Sequence, residues 1–352
     1  MRIAVAGLGF MGSTHIRALQ SIPSAELVAV CSRDEKKLAG DLSAVQGNLG
    51  GPGERLDFSA VTKYRDIRQM LEDPRVEAVD LCLPTHLHAP VAIQAFEAGK
   101  HVLVANYTGG SVAVLPVKAD GMLGEASDFV QHLGSSVDPN RQHEPHAHDV
   151  VLTPDNRFAV VADLGLDKLL VYRFDLEKGK LLPNDPPYGR VKPGSGPRHF
   201  ALHPNGRWAY VISEMGNTIT AFDWDGDKGS FHELQTISTL PKDFKGENST
   251  AELAVHPTGR YLYGSNRGHD SIAVYAIDPA KGMLTSIEDV STLGKEPRNF
   301  ALDPTGAYLF AANQNSNTVV VFRVNSRNGR LTPSGEKVEV ISPVCVTFVA
   351  AQ

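Results

Sequence analysis

Cysteine is scarce in this chain: Cys31, Cys82 and Cys345 stand far apart in apolar, strand-like runs. No C-x-x-C spacing joins them, so the expectation is buried, reduced thiols rather than a disulfide framework or a zinc site. No stretch of about 18 apolar residues occurs, which excludes a membrane-spanning helix. A charged-then-apolar leader with a small-residue cleavage site is also missing, and the first strand starts at Arg2, as expected of a cytoplasmic protein. Basic charge is in deficit, with 34 Lys and Arg against 40 Asp and Glu and a net charge of -6. That balance argues against a nucleic-acid surface, which needs clustered Lys and Arg. What is present is ordinary globular composition, 42% hydrophobic and 21% charged over 352 residues, enough for two domains with separate cores.

The N-terminal hundred residues carry an α/β pattern. Arg2-Ile3-Ala4-Val5-Ala6 is a short apolar run, followed at once by Gly7-Leu8-Gly9-Phe10-Met11-Gly12. A helical pattern runs from Ser13 to about Ser21, and a second apolar strand spans Leu27 to Cys31. A glycine motif set between strand and helix, with the next strand at βαβ spacing, predicts a dinucleotide site. The glycines allow the tight turn, the approach of the pyrophosphate and close helix–strand packing, while the helix N-terminus faces the anion. At the end of the second strand stand Ser32, Arg33 and Asp34. Ser32 removes the clash with a 2′-phosphate and Arg33 can pair with it, which favours NADP. With Arg33 solvated and Asp34 on the ribose, NAD is the alternative.

A further strand at Ala78–Leu83 leads into Pro84-Thr85-His86-Leu87-His88, and a helix from about Pro90 to Ala98 leads into His101-Val102-Leu103. Through the phrases AGLGFMGSTH, LPTHLHAP and EAGKHVL, residues 1–103 resemble the nucleotide-binding half of the Gfo/Idh/MocA oxidoreductases. The resemblance implies that Leu83, Pro84, Thr85 and His86 border a nicotinamide; His86 and His88 read equally well as locally satisfied helix-start histidines. That family continues after G-K-H-V-L with Glu-Lys-Pro, whose lysine serves catalysis, and then with a large sheet domain. Here Val104-Ala105-Asn106-Tyr107 follow. Without a proton donor and a positioned substrate a hydride-acceptor site is only a binding site.

From residue 99 onward helical periodicity gives way to short β-rich runs separated by turn residues. Four copies of one phrase recur: TPDNRFAVVAD from Thr153, HPNGRWAYVIS from His203, HPTGRYLYGSN from His256 and DPTGAYLFAAN from Asp303. Their prolines lie 50, 53 and 47 residues apart, a period that predicts four-stranded β-propeller blades. The P-x-G turn joins the inner strand of each blade to the second, because proline presets φ and glycine accepts positive φ. In this register Gly99 matches Gly206 and Asn106 matches Asn266, so residues 99–117 read as the second and third strands of a blade lacking its inner strand. Ser342–Phe348 aligns with Gly196-Pro197-Arg198-His199-Phe200 and reads as an inner strand with nothing after it. Two architectures follow: a ring of about five blades closed by the C-terminal strand, which hides both sheet edges, or an open arc. The expected organisation is a Rossmann-type α/β parallel sheet over 1–103 and an all-β partial propeller over 104–352.

The same register locates charge. Six residues before each turn proline come His148, Arg198, Ala251 and Arg298; ten after it come Leu164, Glu214, Arg267 and Gln314. Inner strands line a propeller's channel, so charged departures from the repeat are site candidates. Arginine suits bidentate capture of carboxylate or phosphate, and Glu or His can move the proton when water attacks a carbonyl. For any one of these residues, an ion pair between blades is the structural alternative. The phrases ANYTGGSVAVLPV, PHAHDV, ADLGLDKLLVYR, GSGPRHFALHPNGRWAYV, FKGENSTAE and SNRGHDSIAVY resemble the seven-bladed propeller lactonases, the 6-phosphogluconolactonase and carboxymuconate-lactonizing group. The resemblance covers residues 101–350 and implies a catalytic set of a His in PHAHDV, Arg198, Glu214 and Arg267. Alternate strand residues share a face, so His146 and His148 both fit, with His148 favoured by register; Arg298 is a further anion-binding candidate. About two blades of that family are absent before ANYTGG.

Three readings are open at this stage. One is a hydrolase of small anionic lactones that needs no cofactor for its chemistry. Another is an NAD(P)-dependent oxidoreductase whose substrate domain has been exchanged. The last is an inactive fusion that binds only a dinucleotide. No nucleic-acid or membrane partner is expected, and the histidines at 143, 146 and 148 lack a carboxylate at metal-ligand spacing.

Overall fold

A computed structural model of the chain describes residues 2–6, 26–43, 55–66, 101–118 and 122–348, with positions 8, 16, 69, 70, 73, 75, 76 and 78–81. Two compact units emerge: Met1–Val102 with Pro116–Glu125 and Ala350–Gln352, and Leu103–Leu115 with Ala126–Val349.

The first unit holds β1 (Arg2–Ala6), β2 (Glu26–Cys31), β3 (Thr62–Tyr64) and β4 (Ala78–Leu81). All pair in parallel, in the order β3-β2-β1-β4, as in the first half of a doubly wound sheet. Alternate residues of a strand face opposite sides, and here both sides are covered. Val5 and Val30 pack with Leu8, Ile16, Leu42 and Phe58, while Ala4, Ala29 and Cys31 pack with Met70. Burial on both faces is why these strands read as unbroken apolar runs. The residues expected to hold a dinucleotide at Gly7, Gly9, Phe10, Met11, Gly12, Leu83, Pro84, Thr85 and His86 lie outside the described residues, as do His88 and Cys82.

In the second unit the repeat becomes four antiparallel sheets of four strands each. Their strands are β8–β11 (Ala147–Leu152, Phe158–Asp163, Lys168–Asp175, Lys180–Arg190) and β12–β15 (Pro197–Leu202, Trp208–Ser213, Thr218–Asp225, Ser230–Ser238). Next come β16–β19 (Ser249–Val255, Tyr261–Arg267, Ser271–Ile277, Leu284–Ser291) and β20–β23 (Pro297–Leu302, Tyr308–Asn313, Thr318–Val324, Leu331–Glu339). Ahead of them, β5 (His101–Asn106), β6 (Ser111–Pro116) and β7 (Asp128–Gln131) form a three-stranded sheet. Neighbouring blades share apolar cores: Phe158, Val160 and Val171 of one pack on Phe200, Val211 and Phe222 of the next.

The H-P-x-G phrase has a structural reason. Gly206, Gly259 and Gly306 take φ of 70°, 71° and 72°, the left-handed region that glycine enters without a Cβ penalty. His203 Nε2 donates to the Gly259 carbonyl at 2.8 Å, and His256 Nε2 to that of Gly306 at 3.0 Å. Each turn histidine is thereby a stitch to the following blade.

A second stitch recurs where each fourth strand crosses to the next inner strand. Asp167, Asn217, Asp270 and Asn317 all have positive φ, from 50° to 56°. Their carbonyls accept from Val191, Thr239, Thr292 and Val340 at 2.9–3.2 Å. Asp167, Asp270 and Asn317 also accept side-chain bonds from the amides of Gly196, Glu296 and Ser342. Those three positions have φ of 65°, 59° and 46°, each just before a proline. Val346 N then donates to Asn299 Oδ1 at 2.8 Å, as Phe200 N donates to Asp149 Oδ2 at 2.9 Å. The segment 342–348 therefore takes the place of an inner strand beside the fourth complete blade.

Among the described residues it has no place in the β5–β7 sheet, which has three strands, and 343–348 form no ladder. The clamps from Asn317 and Asn299 fix the segment against β20–β23, whereas β5–β7 shares its core with β8–β11. One expectation about cysteine is corrected with it. Cys31 is buried, but Cys345 is exposed, because no second strand covers its segment.

Candidate active site

Every complete inner strand carries a β-bulge near its start. The ladder slips between Ala147 and Asp149, Pro197 and His199, Thr250 and Leu253, and Pro297 and Asn299. A bulge inserts an unpaired residue and re-aims its side chain. The slips fall at His148, Arg198, Ala251 and Arg298, the positions six residues before each turn proline, with Glu252 also inside the third slip. Two of the second-strand ends also bring charge to the same mouth, with Glu214 directly after β13 and Arg267 closing β17. At the equivalent places Leu164 is buried and Gln314 opens a short 3-10 turn.

Glu214 is the hub. Its Oε2 accepts from Arg198 Nε at 3.0 Å and pairs with Arg267 Nη2 at 2.9 Å; its Oε1 accepts from Arg141 Nη2 at 2.7 Å. Arg198 also donates to the Ala251 carbonyl at 2.7 Å, and Arg267 to that of Thr250 at 2.8 Å. Burial would raise the Glu214 carboxyl, but the Arg141 hydrogen bond and the charges of Arg267 and Arg198 outweigh it and hold it down at about 2. Burial, with Arg267 beside it, pulls Arg198 down to about 10, so it stays cationic at neutral pH.

His148 faces this cluster from the adjacent blade. Burial first, and then the Arg198 charge, push its imidazole down to about 2, so it is neutral at ordinary pH. Its Nδ1 is buried without a hydrogen bond, and its ring lies 5.1 Å from that of His199. Arg298 acts electrostatically on both His148 and Arg198. Among the described residues no carboxylate pairs with its half-buried guanidinium.

His146 is placed differently. It precedes β8, donates its amide to Asp163 at 2.8 Å, bonds the Tyr107 carbonyl through Nδ1 at 3.1 Å and stacks on the Tyr107 ring at 4.7 Å. It positions Tyr107, whose ring also meets His148 edge-on at 5.5 Å.

Behind the bulge residues lies a layer that sequence reasoning missed. His199 Nδ1 and Glu252 Oε1 are 2.7 Å apart, and Asn299 donates to Glu252 Oε2. Asp149, half-buried and close to His199, has its carboxyl raised by desolvation; the His199 charge and hydrogen bond keep Glu252 lowered against the same penalty. The signal was available, since these are the residues next to the bulge positions. Arg141 and Tyr107 left no such signal, because neither falls on the charged positions of the repeat.

In the first unit, Ser32 Oγ accepts from Asp34 N at 3.1 Å. Asp34 caps the helical turn Glu35–Leu38, with Oδ1 accepting from Lys36 N at 2.9 Å and Lys37 N at 3.3 Å. Arg33 is exposed beside them. Among the described residues no three His, Cys, Asp or Glu gather to hold a metal ion, and no helix is long and apolar enough to cross a membrane.

Comparison with known proteins agrees with this division. Residues 79–348 match the family model described as lactonase, 7-bladed beta-propeller, and residues 1–105 match the oxidoreductase family, NAD-binding Rossmann fold. The two matches overlap at 79–105, around β5. A 6-phosphogluconolactonase of Bacillus subtilis is 38% identical over 212 residues, covering 60% of this chain and 59% of its own. Two solved structures superpose with a TM-score of 0.68. A periplasmic gluconolactonase of Pseudomonas aeruginosa is 39% identical, with 72% of this chain and 70% of that one covered. A protein of Lactobacillus plantarum is 36% identical, with 72% of each chain covered. The chain spans about three fifths of the length of the curated relatives it matches. With its blade repeat, and with that family's model matched along most of its length, the chain belongs to the seven-bladed β-propeller lactonase family.

Proposed function

We propose that the chain hydrolyses an anionic lactone of a sugar acid at the mouth formed by His148, Arg198, Glu214, Arg267 and Arg298. The observation that carries this reading is the contrast between two kinds of arginine. Arg198 and Arg267 are locked on Glu214, while Arg298 has no carboxylate partner among the described residues and acts electrostatically on a neutral histidine. A half-buried cation left uncompensated suits an anionic ligand. The relatives named as 6-phosphogluconolactonase and gluconolactonase point to the same substrate class.

In this reading His148 takes a proton from water as the water oxygen bonds to the lactone carbonyl carbon. The carbonyl electron pair moves onto oxygen, and the guanidiniums of Arg298 and Arg198 stabilise the oxyanion. Collapse breaks the ring C–O bond, and the departing alkoxide takes the proton from His148, leaving a hydroxy acid. Burial is the larger cause of the depressed His148 imidazole, and a substrate anion offsets the smaller share owed to Arg198 and Arg298, moving its pKa upwards. All five residues come from the four complete blades, so the chemistry requires no ring closure.

The test is titration of acid released from a phosphorylated δ-lactone, corrected for spontaneous opening. Loss of one charge-assisted contact is worth about 1.5–3 kcal/mol, so Arg298→Ala should lower kcat/KM by about 10- to 100-fold. Wild-type protein that opens no lactone above the spontaneous rate would sink the reading.

The first unit is read as a dinucleotide site, which when bound supplies a hydride acceptor. Gly7, Gly9, Phe10, Met11 and Gly12 would hold its pyrophosphate, with Ser32 and Arg33 at the ribose and Leu83, Pro84, Thr85 and His86 at the nicotinamide. Asp34 spends its carboxylate on a helix cap, which favours NADP over NAD. Dehydrogenation is not assigned, since Val104, Ala105 and Asn106 stand where the resembled oxidoreductases carry their lysine.

A further inference from the structure

Three guanidiniums meet the Glu214 carboxylate, and they are not equivalent. Arg198 and Arg267 share Oε2, each has a second bond to a backbone carbonyl, and their side chains are 3% and 8% exposed. Arg141 alone holds Oε1, and its side chain is 45% exposed. Its other contact is the Tyr107 hydroxyl, at 3.4 Å. Withdrawing either inner arginine would leave buried charge without its partner, whereas a half-exposed pair contributes little.

The backbone under Arg141 is fixed. Asp138 Oδ1 accepts from the amides of Asn140 and Arg141 at 2.8 and 3.1 Å. The next residue, Gln142, is fully buried and donates to the Leu164 carbonyl at 2.8 Å. Further along, the Glu144 carbonyl packs so closely on Gly165 that a Cβ there would overlap it. A rigid loop thus presents one long side chain whose head can exchange partners without moving its anchor.

We propose that Arg141 is a substrate-operated latch: an anionic group on the lactone draws its guanidinium off Glu214 Oε1, and the uncovered oxygen joins the activation of the attacking water. The latch rests on the lactonase reading and extends it to specificity. A neutral lactone offers Arg141 nothing, leaves Glu214 capped by three cations and is turned over with His148 alone. An anionic lactone both gains a contact and releases a carboxylate oxygen. Arg141 therefore has two roles: it binds the substrate anion, and through Glu214 it sets when the second base is free. The water proton is accepted at Glu214 Oε1 or at the His148 imidazole and is returned to the departing alkoxide.

The full chain is assayed with two δ-lactones of the same sugar acid, one phosphorylated and one neutral, as wild type, Arg141→Ala and Arg141→Lys. For Arg141→Ala, KM for the phosphorylated lactone should rise about tenfold or more, the worth of one charge-assisted contact. Turnover of the neutral lactone should rise, because Glu214 is no longer capped. Removing the cation raises the Glu214 pKa, so the acid limb of kcat/KM on the neutral lactone should move to higher pH. Lysine, which restores the charge, should recover most of the selectivity. An unchanged ratio between the two lactones, or an equal loss on both with an unmoved acid limb, overturns the latch alone. Wild-type protein that opens neither lactone overturns the lactonase reading and the latch together. Unchanged melting of Arg141→Ala, whose side chain is half exposed, keeps these outcomes from being confused with unfolding.

Discussion

At the scale of the residue, the Glu214 hub makes acid stability a two-step property. A depressed folded pKa stabilises the native state above the unfolded value, and that contribution fades as pH falls towards the folded one. The His148 imidazole is depressed from 6.5 to about 2 and the Glu214 carboxyl from 4.5 to about 2. Stability should therefore begin to fall near pH 6.5, where unfolded His148 gains its proton, and fall more steeply below about 4.5, where unfolded Glu214 does. Urea midpoints from pH 8 to 3 would check this, with His148→Asn removing the first step. Glu214→Gln should cost about 3–5 kcal/mol at pH 7, since it leaves Arg198 and Arg267 buried without their anion. Its deficit should narrow below pH 4.5. A constant deficit across the range would contradict the ion-pair account. Much of the cluster was legible because a repeat exposes what departs from it: His148, Arg198, Glu214, Arg267 and Arg298 break a register otherwise set by packing. Arg141 was not, because a single arginine in a connecting loop has no register to break.

Elements repeat here through their stitches as much as through their strands. P-x-G turns, four-strand blades and the period near 50 were all readable, since proline, glycine and alternating burial each leave a local mark. The bulges were not, because they depend on pairing across the ladder, which the sequence of one strand does not state. The end of the chain shows the limit of register as a guide. Ser342–Phe348 has the turn, proline and clamp of an inner strand, so its alignment was informative, yet pairing with β5 does not follow. Alignment gives the place of a segment beside its preceding blade; a ladder partner depends on where the other end of the row lies. Asn317 is the clamp most open to test. Its φ of 56° and its Oδ1 bond to Ser342 N at 2.9 Å are separable contributions. Asn317→Gly keeps the left-handed residue and loses the bond, at about 1 kcal/mol, whereas Asn317→Ala also meets the Cβ penalty of about 1–2 kcal/mol. Hydrogen exchange at Val340 and Ser342 should accelerate in both variants, and more in alanine. Equal exchange in wild type and both variants would mean that the side chain does not hold the segment.

For the whole molecule, the proposed lactone and dinucleotide sites fall in different units, so each can be titrated separately. The parallel order β3-β2-β1-β4 was foreshadowed by apolar runs buried on both faces and by a glycine motif at βαβ spacing. The cofactor's ribose preference rests on fewer residues. With Asp34 Oδ1 held by the amides of Lys36 and Lys37, accepting a ribose hydroxyl would compete with the cap, which is worth about 1 kcal/mol. Arg33 is exposed at the same strand end and can pair with a 2′-phosphate without giving anything up. Arg33→Ala should therefore weaken NADPH binding by about 10- to 100-fold, the worth of one charge-assisted contact, and leave NADH nearly unchanged. Fluorescence titration with both nucleotides measures it directly. Lactone opening by the same variant should match wild type, because every residue assigned to that chemistry lies in the second unit. Equal weakening of NADPH and NADH would remove Arg33 from the 2′-phosphate and return the ribose to Asp34.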